Sequence, residues 1–511
     1  MEILDCTIRD GGYYTNWDFD KNLIKSYLKN LDKLPVDYLE VGYRSASLTG
    51  YYGEYFYCTI DTINFLSSNS NKKLVIILDE KNFNIDLIND LLDPCKGKID
   101  MIRMAIDPQN FHRAVKKAKI IKLKGFKIAF NLMYMSKWDR YPGLIESFNE
   151  LNDLVDYLYL VDSYGGVYPN DVRDIIGKVR KSTNVKIGFH GHNNLEMALA
   201  NSLVAIESGI DILDSTLTGM GRGAGNLKTE LLLTTLNTKY GLDVDYDALS
   251  DITGKFQDLQ EEYKWGTSLP YMISGSNSLP QNKVMDWISK NYYSINSITR
   301  ALSKSIPNKN KDNSYEFFKS DLTFDTVVII GGGSSINKHH QSILKYLNLN
   351  NDKLALIHAS SKNAKYFEDL KIEQFFCLVG NEGIRLEDVF EDLRQFDGKC
   401  ILPPSPRNMG TYVPKLVINK TYELDQITFT NLNTESHTSI ALQTSLNLGA
   451  KTIYLLGYDG YEPGLISDKF QELFIENSKL FNDIPENIDC ISLTPTKYNG
   501  VKKSSIYKLI K

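Results

Sequence analysis

Eight short apolar runs, each followed by a longer amphipathic one, occupy Met1 to Tyr240 of this 511-residue chain. The expected strands are Glu2–Ile8, Asp37–Gly42, Lys73–Leu78, Ile99–Met104, Phe126–Asn131, Tyr157–Val161, Val185–Phe189 and Ile210–Asp214. Between them, Phe19–Leu34, Phe111–Leu123, Pro169–Lys181, Leu195–Ser208 and Asn226–Tyr240 read as helices. The strands are near-continuous apolar runs and do not alternate, as in a parallel sheet covered by helices on its faces. Eight strand–helix units predict a (β/α)8 barrel, with a doubly wound open sheet as the alternative. A barrel places its chemistry at the C-terminal strand ends and the loops after them.

Polar residues collect at those ends. The seventh strand runs into Gly188-Phe189-His190-Gly191-His192-Asn193-Asn194. Two histidines two residues apart on a strand share a face. They can meet one metal ion if a hard ligand arrives from elsewhere. Asp10, in Asp5-Cys6-Thr7-Ile8-Arg9-Asp10-Gly11-Gly12, is the candidate for that ligand. Arg44 after the second strand, Arg103 on the fourth and Ser163 after the sixth are candidate substrate-binding residues. The aromatic loop Tyr51–Tyr57 is a candidate outer pocket wall.

A 42% hydrophobic content with net charge -5 gives no electrostatic case for nucleic acid or an anionic membrane surface. No apolar run approaches the ~20 residues of a membrane helix, and Met1-Glu2-Ile3-Leu4 does not read as a leader. The six scattered cysteines form no C-x-x-C pair and no disulfide framework. A cytoplasmic protein is the expectation.

Beyond the barrel, four segments are expected. Residues 1–240 form the catalytic barrel, 241–302 a helical extension, 303–320 a polar linker and 321–511 a Rossmann-like α/β domain. In the last, strands are expected at Thr326–Ile330, Leu354–His358, Phe375–Val379 and Thr452–Leu456. Gly331, Gly332, Gly333 and Ser334 follow the first of these and precede a helix, as in loops that present backbone N–H groups to a phosphate.

With its Arg-Asp-Gly, its H-x-H and the later Gly219-Met220-Gly221-Arg222-Gly223-Ala224-Gly225-Asn226, the barrel resembles a known family. It is similar to the metal-dependent lyase and aldolase barrels that include 4-hydroxy-2-oxovalerate aldolase and hydroxymethylglutaryl-CoA lyase. The resemblance implies Asp10, His190 and His192 as ligands of a divalent cation, with Asn226 a further candidate. Mn²⁺ is the expected ion, with Mg²⁺, Co²⁺ or Zn²⁺ as alternatives. It also implies that Arg9 helps stabilise an enolate oxygen, and that the substrates are a 2-oxo acid such as pyruvate and an aldehyde.

The motif departs from the family in three ways. Gly12 is followed by Tyr13-Tyr14 where the hydroxy-oxovalerate aldolases carry a histidine, so proton transfer falls to Tyr13, the first candidate, or to Tyr14, a metal-bound water or another group. The Glu-Gln pair of the acyl-CoA condensing enzymes is absent, and Gly219–Asn226 lacks the cysteine of the hydroxymethylglutaryl-CoA lyases.

The C-terminal part more loosely resembles sialyltransferase-like Rossmann domains, implying a nucleotide or nucleotide-sugar ligand. The expected function is a metal-dependent aldolase or lyase working through a 2-oxo acid enolate, in a homo-oligomer. The alternatives are an acyl-CoA condensing enzyme on the same barrel, or a bifunctional surface-glycan pathway protein.

Overall fold

The computed structural model describes residues 1–289, 294–306, 313–460 and 468–510. It divides into two compact units, Met1–Met285 and Asp286–Lys511, and the division falls inside the helix Gln281–Ser289.

The first unit is a closed parallel barrel. Its strands are β1 (Glu2–Asp5), β2 (Tyr38–Tyr43), β3 (Lys73–Asp79), β4 (Met101–Ile106), β5 (Lys127–Leu132), β6 (Tyr157–Asp162), β7 (Lys186–Gly191) and β8 (Ile212–Ser215). They stand in sequence order, and β8 closes onto β1 from Ile212 beside Glu2 to Ser215 beside Asp5. Leu4, Tyr38, Val75, Met101, Ala129, Tyr157, Tyr159 and Ile212 pack with Cys6 and Val161 as one cluster drawn almost entirely from the strands, the filling of the barrel. The other strand faces share a second cluster with the helices, which explains why these strands read as apolar on both sides. The helix Tyr246–Tyr263 joins that cluster through Leu249, Ile252 and Phe256.

The first strand is shorter than expected. It ends at Asp5, and Thr7–Thr15 is a helix, so Arg9 and Asp10 belong to a helical turn and not to a strand end. The cause is the buried Asp5 carboxylate. It accepts from the Thr7 N–H at 2.9 Å, the Tyr27 hydroxyl at 2.7 Å and the Thr229 hydroxyl at 2.7 Å. The bond to Thr7 turns the chain out of the strand two residues on, in the manner of an Asx turn.

The second unit is a nine-stranded parallel sheet. Its strands are β9 (Glu316–Phe317), β10 (Thr326–Ile330), β11 (Leu354–His358), β12 (Gln374–Cys377), β13 (Lys399–Leu402), β14 (Thr421–Glu423), β15 (Thr452–Leu456), β16 (Asp489–Ser492) and β17 (Lys502–Lys503). Their order is β17-β16-β15-β10-β11-β12-β13-β14-β9. The chain winds outward from β10 to β14, then crosses back to lay β15, β16 and β17 on the other side. Apolar clusters cover both faces of this doubly wound sheet. Within the stretch expected as a linker, residues 307–312 lie outside the described residues, and β9 pairs with β14 at the sheet edge.

Thr229→Val removes one donor to Asp5 and leaves a buried carboxylate short of a partner. The expected loss is ~1–3 kcal/mol of stability, read as a lower urea midpoint for the barrel.

Candidate active site

Six side chains close a ring of charge at the C-terminal mouth of the barrel. Arg9 donates through Nε to Glu40 Oε2 at 2.6 Å and through Nη1 to Asp10 Oδ1. His190 Nε2 lies 3.5 Å from Asp10 Oδ2, and His190 Nδ1 lies 2.8 Å from Asp214 Oδ2. Arg103 Nη2 donates to Asp214 Oδ2 at 2.6 Å, and its Nη1 lies 3.4 Å from Glu40 Oε2. Arg103 Nε donates to Asn131 Oδ1 at 2.8 Å, and its guanidinium lies 4.0 Å over the Tyr159 ring. All six residues are buried. Burial raises the Asp10 carboxyl, but Arg9 and the two histidines outweigh it and hold the carboxyl below its usual range. Asp214 is likewise held low, because Arg103 and His190 outweigh its burial.

The two histidines are oriented from behind. Their ring centres are 4.9 Å apart. His190 Nδ1–H donates to Asp214, and His192 Nδ1–H donates to the Asp162 carbonyl at 2.8 Å. Each bond fixes a tautomer and leaves Nε2 with its lone pair free, the arrangement in which imidazole binds a metal. Burial, then the neighbouring His190 and Arg222, push the His192 pKa down to about 3, so the ring is neutral at ordinary pH.

The donor set suits a cation. Two guanidinium groups and the His190 imidazole face three carboxylates in the ring, so carboxylate oxygens outnumber its fixed cations. Asn226 Nδ2 donates to Asp10 Oδ2 at 2.7 Å, while its Oδ1 is buried without a hydrogen-bond partner. The glycine-rich turn delivers this amide. Gly225 has φ +79°, and a Cβ there would stand 2.1 Å from the Gly219 carbonyl oxygen. Cys6, His190 and Asp214 also have donor atoms within 4.8 Å of one another. That trio does not read as the ligand set: Asp214 is spent on Arg103 and His190, Cys6 Sγ points to the Ser215 carbonyl, and burial pushes the thiol up.

The remaining sequence candidates fall in several places. Tyr13 is at the mouth, its hydroxyl 3.3 Å from that of Tyr43. Tyr14 donates to the Gly223 carbonyl at 2.9 Å, and burial raises its pKa to about 12, so it acts as a brace for the turn. Ser163 accepts from the Tyr134 N–H at 2.8 Å. Asp162 accepts from the N–H groups of Gly166 and Val167 and shapes its loop. Arg103 is wholly buried inside the ring and orients Asp214, a placement behind the histidines and not at a substrate face. Arg44 needs a correction: its guanidinium donates to the carbonyls of Leu91, Tyr57 and Cys58 at 2.9–3.2 Å. It ties two other chain segments, at Leu91 and at Tyr57–Cys58, to the end of β2. Glu40 and Asp214 carry the ring although sequence marked them only as polar residues ending apolar strands.

In the second unit a cleft of about 840 Å³ lies at the C-terminal ends of β10, β11, β12 and β15. Gly331–Ser334 line it, but not as a phosphate cradle. The N–H groups of Gly331 and Gly333 donate to the Leu456 and Gly457 carbonyls, each at 2.8 Å. Asp459 accepts from the Ser335 N–H at 2.9 Å and caps the following helix with its own negative charge. The glycine is needed because a Cβ at Gly333 would meet the Gly457 oxygen at 2.5 Å. The cleft also holds buried Glu382, which lies 2.8 Å from Arg385 and 3.4 Å from His437.

A closed parallel barrel with Arg-Asp on its first helical turn and a supported histidine pair at the end of β7 is the arrangement of a class of carbon–carbon lyases. The chain belongs to the HMGL-like family, whose model matches residues 97–254. It is 30% identical over 261 residues to an oxaloacetate decarboxylase of Mycobacterium tuberculosis, covering 49% of this chain and 74% of that one. It is 30% identical over 271 residues to a 4-hydroxy-2-oxovalerate aldolase of Geobacillus thermodenitrificans, covering 51% and 74%. The crystallised N-terminal domain of a candidate aldolase from Bacteroides vulgatus is 50% identical, with a TM-score of 0.57, over 59% of this chain and all of that one.

Arg103→Met strands Asp214 and half of Glu40's partners in the barrel. We expect a loss of ~3–5 kcal/mol, measured by urea denaturation against wild type.

Proposed function

We propose that this chain is a divalent-metal-dependent aldolase or lyase that makes or breaks a C–C bond beside a 2-oxo acid such as pyruvate. One observation supports the reading: His190 Nε2 lies 3.5 Å from Asp10 Oδ2, the His190 and His192 rings lie 4.9 Å apart and are each held from behind, and the Asn226 carbonyl nearby is buried and unpaired. The proposed ligands are those three side chains, with Asn226 as a further donor, and Mn²⁺ is the proposed ion. When bound, the cation supplies positive charge for the enolate oxygen.

The chain's own residues do the rest. Arg9, fixed through Glu40 and Asp10, offers preorganised positive charge where the enolate forms. In the cleavage direction the hydroxyl of the bond to be broken loses its proton, and the C–C electron pair passes to the 2-oxo fragment while an aldehyde departs. Tyr13 is proposed to pass that proton along the Tyr13–Tyr43 hydroxyl pair. The buried ring keeps water away from the charged groups. The relatives favour neither the acyl-CoA condensing reading nor the glycan-pathway reading.

Among the described residues no helix is long and apolar enough to cross a membrane. A cytoplasmic homo-oligomer remains the proposal. For the second unit we propose that a nucleotide or nucleotide sugar enters the cleft. Its place supports this: the chain switches direction between β10 and β15, where open α/β sheets hold ligands. Exposed Lys362 and Arg385 at its rim supply the positive charge.

Wild-type protein is expected to retain about one Mn²⁺ per chain and to exchange pyruvate methyl protons for deuterium. His190→Ala and His192→Ala should lose both. Stoichiometric metal in the double variant would refute the ligand assignment, and no exchange by the metal-loaded wild type would refute the enolate chemistry. For the cleft, CMP or UDP should raise the melting temperature of the full chain by a few degrees, and Arg385→Ala should abolish the rise.

A further inference from the structure

Arg222 is a cation without a counter-charge. It sits in the glycine-rich turn that also delivers Asn226, and its Nε is buried with no hydrogen-bond partner. Among the described residues no carboxylate pairs with it. Its guanidinium lies 5.6 Å over the Tyr13 ring, the group placed at the reacting hydroxyl.

The turn that holds Arg222 is rigid. Tyr14 donates to the Gly223 carbonyl at 2.9 Å, Asn226 N–H donates to the Gly219 carbonyl at 3.0 Å, and Asn193 N–H donates to the Gly225 carbonyl at 2.8 Å. The arginine is therefore held and does not sweep through solvent.

A tyrosine shelf lies beside it. Tyr134 and Tyr164 pack with ring centres 5.3 Å apart, and the field of Arg222 reaches both hydroxyls. Lys137 sits on this shelf, 4.3 Å over the Tyr164 ring, with Nζ 3.2 Å from its hydroxyl and 2.8 Å from the Ser278 carbonyl. Tyr134 has φ +59°, a left-handed conformation that is costly for an aromatic residue, and Ser163 holds it through the Tyr134 N–H. Backbone held this way clusters at functional sites. The acid whose field also reaches the shelf is Asp107, which accepts from the Gln109 N–H at 3.1 Å and forms no ion pair with Arg222 among the described residues.

We propose that Arg222 anchors an anionic group on the aldehyde partner, so that the acceptor is an acidic aldehyde bearing a carboxylate or a phosphate. This rests on the 2-oxo acid aldolase reading above. A half-buried guanidinium with a buried, unpaired Nε gains by taking up an anion, and its planar fork matches carboxylate and phosphate. The 2-oxo acid already has Arg9 and the ligand cluster to meet its charge; Arg222, whose field also reaches His192, stands at the edge of that cluster beside Tyr13 and the tyrosine shelf, placed to hold a second anion.

The experiment has two arms. In the first, aldol formation from pyruvate is followed with glyoxylate and succinic semialdehyde (carboxylates), glyceraldehyde 3-phosphate (phosphate) and propionaldehyde (neutral). Arg222→Met should raise KM for one anionic class at least tenfold more than for propionaldehyde, and Arg222→Lys should recover part of it. Which class suffers identifies the anion. An equal loss on all aldehydes, or a rise in pyruvate KM instead, overturns the proposal. The second arm does not need turnover. Succinate and inorganic phosphate are tested for thermal stabilisation of the Mn²⁺-loaded chain. A shift in wild type that Arg222→Met loses supports the anion site even if pyruvate exchange fails, and no shift with either anion overturns it.

Discussion

The charge ring from Glu40 through Arg9, Asp10, His190, Asp214 and Arg103 back to Glu40 is the constraint that the barrel mouth depends on. Each of its charges is buried, and a buried charge without a partner costs several kcal/mol. The ring resolves this by giving every charged member a neighbour of opposite sign, drawn from β2, β4, β8 and the first helix. Closure of the barrel is what brings these elements together, so fold and site support one another. The ring also sets the chemistry. Asp214 can orient His190 only because Arg103 holds it from the far side, and Asp10 is kept ionised by Arg9 on one oxygen while Asn226 and His190 approach the other.

The ring explains what sequence could and could not show. The eight strand–helix units were readable because both faces of each strand are buried, one in the barrel filling and one under helices, which writes an apolar run into the sequence. The histidine pair was readable because the period of a strand is local. The end of β1 was not: the turn itself is a local bond from Asp5 to Thr7, but the buried carboxylate that makes it is held by Tyr27 and Thr229, far along the chain. Glu40 and Asp214 were visible as polar residues at strand ends, but their roles depend on Arg9 and Arg103 across the barrel. The bonds of Arg44 are equally non-local: its carbonyl partners lie in the helices Ile88–Leu92 and Glu54–Tyr57 and at the Cys58 cap.

The second unit shows a different limit. Strands as short as β9, β14 and β17 leave no periodic signal, and they form only because a longer neighbour offers an unpaired edge. The glycine loop after β10 reads locally as a phosphate cradle. In the fold its N–H groups meet the loop after β15, and the helix behind it is capped by a carboxylate 124 positions from Ser335. The glycines thus serve the close approach of two loops. The cleft survives as a candidate site on topology, since the gap between outward-winding and returning strands exists whatever the loop donates to.

Placing Arg222 on a shelf apart from the ring has an electrostatic logic. An aldolase that joins a 2-oxo acid to an acidic aldehyde must hold two anions at once. At an effective dielectric constant of ~20, two like charges ~6 Å apart repel by ~3 kcal/mol. If both anions were drawn to the same cation and the same arginine, the acidic aldehyde would compete with the 2-oxo acid for its seat. A second, separate guanidinium, poised over Tyr13 and rigid in its turn, cancels most of that repulsion and gives the acceptor its own address. With its anionic end held by Arg222, an acidic acceptor would present its aldehyde carbon to the enolate and its carbonyl oxygen to the Tyr13–Tyr43 pair, so charge recognition at the mouth would also set which end of the acceptor reacts.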